Sequence, residues 1–341
     1  MATVAVVTDQ DGAHLSAYYE GLKSVRDVSE VVLVDPSGTL RQDAQAVLED
    51  RLTQTYASVD AMLKAVRPAM AIVTLPGDKA PAQIAPLVNA GVPVLAEKPA
   101  CVDPDGFARL VDLAARTNVQ IMLALANRIA PWLTDARRIV QDGGIGRLYA
   151  IQALSLADQT RIQRRRDDPH WSFRKARAGG GYLTWLGIHW LDALLTISGD
   201  RVTAVQAMTA VAGGAPIDVE DLAVVHLQLA SGAQASLTCG YLLDTYYQWN
   251  MAFWGADGWL RYDWNNRVLD WHGNDPQAMN EVKDRHIRYE GDAGYTPFVR
   301  AAFRAAVGEI GPPITSAEGL TVLRIIQAAY RSAASGQTVK L

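Results

Sequence analysis

Over its first third the chain alternates short apolar runs, of strand length, with spans whose apolar residues recur at helical spacing. Thr3 to Val7 is wholly apolar after Thr3, as a strand buried on both faces must be. His14 to Val25 follows, with Leu15, Tyr18, Tyr19 and Leu22 on one helical face. Val31 to Val34, Ala69 to Leu75, Val92 to Ala96 and Gln120 to Ala124 repeat the strand pattern. Ala44 to Leu52, Val59 to Ala65, Gln83 to Ala90 and Phe107 to Thr117 read as the helices between them, with Gly91 placed to end one of these. Strand, helix, strand at this spacing means parallel βαβ units and a doubly wound α/β sheet. Such sheets bind ligands beyond the carboxyl ends of their strands, here the segments starting at Thr8, Asp35, Leu75 and Glu97.

The pattern changes after about residue 123. Pro131 to Asp142 reads as a helix closed by Gly143-Gly144. Strand-like runs then appear at Leu148 to Leu156, Val202 to Thr209, Leu222 to Ala230, Ala233 to Thr238 and Trp249 to Trp254. Ser231-Gly232 and Asp257-Gly258 are hairpin turn signals between such runs. The expected architecture is a doubly wound parallel domain over 1–123 and a second α/β domain over 124–341 with a large, mostly antiparallel open sheet. The helix Thr321 to Ala334 is expected to pack back on the first domain.

Composition removes several function classes. A net charge of −4 with 20% charged residues gives no basic footprint for nucleic acid; Arg161, Arg164, Arg165 and Arg166 form the one local exception. Cys101 and Cys239 stand alone and far apart, so neither a disulfide framework nor a metal site is expected. No membrane-length apolar run and no signal-like N-terminus are seen, so a cytoplasmic protein with no membrane partner is expected.

Two segments carry chemistry. In Glu97-Lys98-Pro99 an ammonium follows directly on a buried parallel strand, at the ligand edge, where it would stabilise developing negative charge on an oxygen; a surface lysine is the equal alternative on position alone. In Gly179-Gly180-Gly181-Tyr-Leu-Thr-Trp185-Leu-Gly-Ile-His189-Trp190-Leu-Asp192, glycines feed a helix carrying Trp185, His189 and Asp192 near one face. Histidine is a proton shuttle, but a core histidine is the favoured reading of this helix alone.

Together with Asn127-Arg128, Gly143-Gly-Ile-Gly146 and the closing Ala328-Ala-Tyr-Arg run, these segments resemble the Gfo/Idh/MocA family of glucose-fructose oxidoreductase and inositol dehydrogenase relatives, over nearly the whole chain. The resemblance implies an N-terminal Rossmann domain binding NAD, with NADP possible, and hydride transfer to or from a sugar, polyol or similar secondary alcohol. It implies Lys98 and His189 as the catalytic pair handling the hydroxyl proton. It places Thr8, Gln10, Gly12, Ala13, Asp35, Leu75, Pro76, Glu97 and Lys98 against the cofactor. Arg128, His170, Trp185 and Asp192 are candidates for the substrate, a carbohydrate-like small molecule. A homodimer or homotetramer is expected by the same analogy.

Two departures from the family pattern bear on this. Trp185 stands where the family carries an Asp four residues before its histidine, and an indole accepts no proton. The dinucleotide fingerprint reads Thr8-Asp9-Gln10-Asp11-Gly12-Ala13, with Gln10 where backbone should touch pyrophosphate. Asp9 and Asp11 add like charge there, for an expected loss of about tenfold in affinity. Asp35 fits the ribose-binding acid that favours NAD, with a turn-forming Asp before Pro36 as nearly equal alternative. The departures leave two further expectations open: an NAD-assisted enzyme of glycoside cleavage or epimerisation without net redox, or a non-catalytic binding protein.

Overall fold

The computed structural model describes residues 2–159, 170–213, 216–275, 280–291 and 294–341. The run from Arg161 to Arg166 lies outside them. The chain forms two compact units. One comprises Met1–Ala126, Ala176–Gly179 and Asp292–Thr321; the other comprises Asn127–Lys175, Gly180–Gly291 and Val322–Leu341.

In the first unit, six strands among the described residues form one parallel sheet in the order β3-β2-β1-β4-β5-β6. They are β1 (Ala2–Val7), β2 (Val28–Val34), β3 (Leu52–Tyr56), β4 (Met70–Val73), β5 (Val94–Ala96) and β6 (Ile121–Leu123). Val4 to Val7, Met70 to Val73 and Val94 to Ala96 are at most 2% exposed, which explains why these strands carry no polar alternation. Between them run α1 (Leu15–Lys23), α2 (Arg41–Leu48), α3 (Val59–Ala65), α4 (Ala80–Asn89) and α5 (Pro104–Thr117). Ser58 and Asp103 start two of these helices by accepting from the backbone N–H of Ala61 and Asp105. Strand order reverses between β1 and β4, so the ligand-binding crevice of such a sheet lies beyond their carboxyl ends.

The sequence reading needs correction at β3. A single helix over Ala44 to Leu52 is expected there, but α2 stops at Leu48, a short tight turn spans Glu49–Arg51, and Leu52 opens the outermost strand. Thr53 and Gln54 are exposed, so this edge strand lacks the apolar run that marks the others.

In the second unit, nine strands among the described residues form a mostly antiparallel sheet in the order β14-β13-β12-β11-β7-β10-β9-β8-β15. These are β7 (Leu148–Asp158), β8 (Val202–Ala210), β9 (Leu222–Leu229), β10 (Gln234–Leu243), β11 (Tyr247–Gly255), β12 (Trp259–Asp263), β13 (Val268–Asp275), β14 (Asn280–Arg288) and β15 (Val339–Lys340). Among the described residues only β7 and β10 of this sheet pair in parallel. Ala223, Val225, Leu227 and Leu229 of β9 are buried in alternation, the period-two signature of a sheet with one covered face. The hairpin turns expected at Ser231-Gly232 and Asp257-Gly258 join β9 to β10 and β11 to β12. Helices α6 (Pro131–Gln141) and α7 (Ile188–Ser198) belong to this unit, and Gly199, at φ 64°, closes α7. Near the C-terminus α8 (Tyr295–Ala306) belongs to the first unit, and α9 (Ser316–Ser335) begins in the first and continues in the second.

Candidate active site

The carboxyl ends of the central strands are tied in sequence: Thr8 N–H donates to Val34 O, Thr74 N–H to Val7 O, and Glu97 N–H to Val73 O. This ladder places Thr8, Thr74 and Glu97 along one edge. Beyond β1 the chain makes a turn in which Gly12 N–H bonds Asp9 O, and Ala13 N–H then bonds Thr74 O. An added Cβ on Gly12 would lie 2.1 Å from Thr8 Oγ1 and 3.1 Å from Thr74 Oγ1, so Thr8 keeps its place only beside a glycine. The Thr74 hydroxyl is buried with no hydrogen-bond partner among the described residues. No side chain caps the N-terminus of α1, which starts from this turn. An orphaned buried hydroxyl and an uncapped helix start at the switch point suit an anionic group such as a dinucleotide pyrophosphate. Leu75 and Pro76 continue from Thr74 and are buried, whereas Gln10 is exposed.

Asp9 and Asp11 do not stand as bare charges at this turn. Lys79 bonds both, at 3.0 Å to Asp11 Oδ2, and Arg177 bonds Asp11 at 2.8 Å and Asp78 at 3.2 Å. Burial would raise the pKa of Asp11, but Arg177 and Lys79 hold it below the usual carboxylate range. The like-charge penalty read from the sequence is therefore largely offset by two cations distant in sequence.

Asp35, 2% exposed, uses both oxygens on its own loop. Oδ1 accepts from Ser37 N–H and the Ser37 hydroxyl, and Oδ2 from Leu40 N–H. Burial works against ionisation, yet these donors keep the group below its ordinary value. The turn-forming alternative of the sequence is thus realised, and remaining acceptor capacity for a ribose is small.

Glu97 and Lys98 are both fully buried, with Lys98 Nζ 3.6 Å from Glu97 Oε1. Glu97 gathers groups from three other segments. Tyr18 of α1 donates to Oε2 at 2.6 Å, Tyr295 of α8 lies 3.3 Å from the same oxygen, and His14 Nδ1 lies 3.3 Å from it. Burial alone would raise the pKa of Glu97, but His14, Lys98 and Tyr18 bring it down to about 2, so the resting carboxylate is negative. Tyr18 and Tyr295, desolvated beside that charge, are held well above the usual phenol range. His14 itself has left-handed backbone at φ 56°, uncommon for a non-glycine residue.

In the second unit Gly180 and Gly181 are closely approached by other parts of their own chain. A Cβ on Gly180 would lie 2.1 Å from the Tyr330 hydroxyl, and one on Gly181 would lie 1.9 Å from Glu220 O. The buried Glu220 carboxylate accepts from Gly181 N–H at 2.8 Å, Leu183 N–H at 3.0 Å and Tyr330 hydroxyl at 2.8 Å. Burial outweighs these donors and shifts its pKa upward. The chain then makes a wide π-type turn over Leu183–Gly187 before α7, a feature frequent at functional sites. Trp185 is 7% exposed and meets Trp171 edge-on at 5.1 Å and His170 at 6.2 Å between ring centroids. His170 Nδ1 is engaged with Ser172 at 2.8 Å. His189 is half-buried on α7. Three residues on, Asp192 is wholly buried and takes Arg128 in a forked ion pair, with Nε at 3.0 Å from both oxygens and Nη2 at 2.7 Å from Oδ1. Arg128 and Asp192 are thus brought to each other. Sequence reasoning did not single out His14, Tyr18, Thr74, Lys79, Arg177, Glu220, Tyr295 or Tyr330.

Family models add an independent line. Residues 13–125 match the oxidoreductase-family NAD-binding Rossmann fold, and residues 133–261 match the Gfo/Idh/MocA C-terminal domain. The chain belongs to the Gfo/Idh/MocA family. It is 27% identical over 355 residues to the D-apiose dehydrogenase of Paraburkholderia graminis, covering 96% of this chain and 86% of that protein. Over shorter spans it is 24% identical to the rhizopine catabolism protein MocA of Rhizobium meliloti, across 46% of each chain. It is 26% identical to the levoglucosan dehydrogenase of Pseudarthrobacter phenanthrenivorans, across 44% of this chain and 43% of that one. These two matches span less than half the length of those relatives. Among solved structures, GenD2 from gentamicin A biosynthesis, in complex with NAD, superposes with a TM-score of 0.83 at 24% identity, covering 100% of this chain and 96% of that one. At that identity the likeness shows the Gfo/Idh/MocA fold, a parallel Rossmann sheet followed by a large mostly antiparallel one.

Proposed function

We propose that this protein is an NAD(P)-dependent dehydrogenase or reductase acting on a CH–OH group of a sugar, polyol or related secondary alcohol. The observation that carries the reading is in the first unit: a buried Lys98–Glu97 pair at a strand's carboxyl end, linked through His14 to a turn that suits a pyrophosphate. Family membership supports it, and relatives named for D-apiose and levoglucosan point to carbohydrate-like substrates.

The first unit serves as the cofactor domain and the second as the substrate and assembly domain, in a cytoplasmic homodimer or homotetramer. Thr8, Gln10, Gly12 and Ala13 line the pyrophosphate turn, with Leu75, Pro76, Glu97 and Lys98 toward the nicotinamide, and Asp35 shapes the loop on the adenosine-ribose side through the bonds it accepts from Ser37 and Leu40. The nicotinamide, when bound, accepts or supplies the hydride. Lys98 holds the reacting oxygen by a charge-assisted hydrogen bond and stabilises it as negative charge develops. Lys98 and His189 handle the hydroxyl proton between them. His170 and Trp185 face the substrate, and Arg128 with Asp192 fixes the helix that presents His189.

Calorimetric titration with NAD and NADP, followed by a sugar and polyol panel read by nicotinamide absorbance, tests this. Binding with turnover abolished by Lys98→Ala supports it. Binding with substrate conversion but no net absorbance change would favour the non-redox chemistry, and no binding of either dinucleotide would leave a non-catalytic protein.

A further inference from the structure

The mechanism above requires protons at Lys98, yet the Lys98 side chain is wholly buried. Reduction of a carbonyl consumes one proton at the new alkoxide, and oxidation releases one. A lysine that gives or takes that proton must be reset before the next turnover.

The structure supplies a chain of contacts for doing so within the first unit. Lys98 Nζ lies 3.6 Å from Glu97 Oε1. The Tyr295 hydroxyl bridges the carboxylate, at 3.5 Å from Oε1 and 3.3 Å from Oε2, and lies 3.2 Å from His14 Nδ1. His14 Nδ1 also approaches Oε2 directly at 3.3 Å. Its side chain is 35% exposed, so the contacts run from a buried ammonium to an imidazole in touch with solvent. Two features suggest that the imidazole is held in place deliberately. His14 keeps a left-handed backbone that costs free energy and persists only where the surroundings over-determine it. Its ring packs on Tyr295 at 5.0 Å, and Tyr295 in turn meets Tyr18 edge-on at 5.1 Å.

We propose that Glu97, Tyr295 and His14 form a proton relay between Lys98 and solvent; the proposal rests on the dehydrogenase reading. During oxidation one Lys98 N–H bond breaks and its proton joins Glu97 Oε1, and the amine so formed takes the proton of the reacting hydroxyl, which restores the ammonium. That O–H proton passes to the Tyr295 oxygen as the phenol proton leaves for His14 Nδ1. The Nε2 proton of His14 then passes to water, and every intermediate group returns to its starting charge. Reduction runs the same steps backwards. A carboxylate with such weak proton affinity holds the proton only fleetingly, as a conduit should. Glu97 and Tyr295 face His14 directly, and Lys98 and Tyr18 face Glu97.

The test uses Tyr295→Phe, which keeps the ring, and His14→Ala, which opens a gap that added imidazole can fill. Expected is a fall in kcat of about tenfold or more in each, typical of losing a positioned proton carrier. Calorimetric NAD affinity is expected to change less than about twofold, and imidazole to restore kcat in His14→Ala alone. A kcat unchanged in both variants overturns the relay, and a loss that tracks weakened NAD binding without imidazole rescue reassigns His14 to cofactor positioning. A second readout needs no turnover. Nitrogen-15 lysine spectra of the cofactor-free protein, with Lys98 assigned through Lys98→Arg, report hydrogen exchange at its ammonium. The relay predicts slower exchange in both variants, and equal exchange contradicts it. Absent turnover in wild type, with relay-dependent exchange intact, would count against the dehydrogenase reading and not against the relay.

Discussion

Replacing Asp192 by Asn isolates one of the strongest interactions in the second unit. Arg128 meets Asp192 through two nitrogens at 2.7 to 3.0 Å, with the two side chains 8% and 0% exposed. Both charges are largely shielded from water, so removing the carboxylate strips the guanidinium of this forked partner. Breaking a buried pair from one side costs about 3–5 kcal/mol, and Asn retains one acceptor, so about 3 kcal/mol is expected. Guanidinium unfolding followed by tryptophan fluorescence measures it. The double variant Arg128→Met/Asp192→Leu removes both charges together and is expected to recover most of that loss, since apolar replacements of buried pairs are often near neutral. A cost below about 1 kcal/mol for Asp192→Asn, or a double variant as damaged as the two singles summed, would refute the reasoning. Kinetics separates the roles of the pair. Asp192 lies three residues beyond His189 on α7, so a misaligned imidazole lowers kcat with KM little changed, whereas direct substrate contact would raise KM.

Three further outcomes are expected. Gly181→Ala places a Cβ 1.9 Å from the Glu220 carbonyl oxygen, a backbone contact that cannot rotate away, and is expected to destabilise by about 3 kcal/mol in thermal unfolding. Gly12→Ala forces Thr8 aside at the phosphate turn, and NAD affinity by calorimetry should fall about tenfold, or about 1.4 kcal/mol, with little loss of stability. Glu97 has a folded pKa of about 2 against an ordinary 4.5, so its contribution is complete above the ordinary value and is lost as pH falls through that window. Acid unfolding of Glu97→Gln should therefore show a shallower pH slope below about 4.5, the wild-type excess being on the order of 3 kcal/mol.

What the sequence made legible follows from what local pattern can encode. β1, β4 and β5 are uninterrupted apolar runs because both faces are buried, and the Glu97-Lys98 pair was found by counting from the end of one of them. β3 escaped notice because an edge strand exposing Thr53 and Gln54 has no such run. α8, which brings Tyr295 to Glu97, also went unrecognised; its partner α1 admits it through Gly21, where a Cβ would meet Val299 at 2.8 Å, and one glycine in a helix announces no such crossing. The acidic phosphate turn looked repulsive because its cations, Lys79 and Arg177, lie far along the chain from Asp9 and Asp11. Gly180 and Gly181 admit Tyr330 and Glu220, partners that a run of glycines does not name. Trp185 in place of an acid was visible at once, and its burial against Trp171 and His170 shows a packed aromatic group where a proton carrier was missing.

The most direct measurement mixes the protein with NAD and a panel of sugars and polyols, in wild-type and Lys98→Ala forms, while nicotinamide absorbance is followed. The account predicts steady reduction of NAD with at least one carbohydrate-like alcohol in the wild type, falling by about a hundredfold or more in the variant while NAD binding persists. Equal turnover in both forms, or a protein that binds no dinucleotide at all, would contradict it.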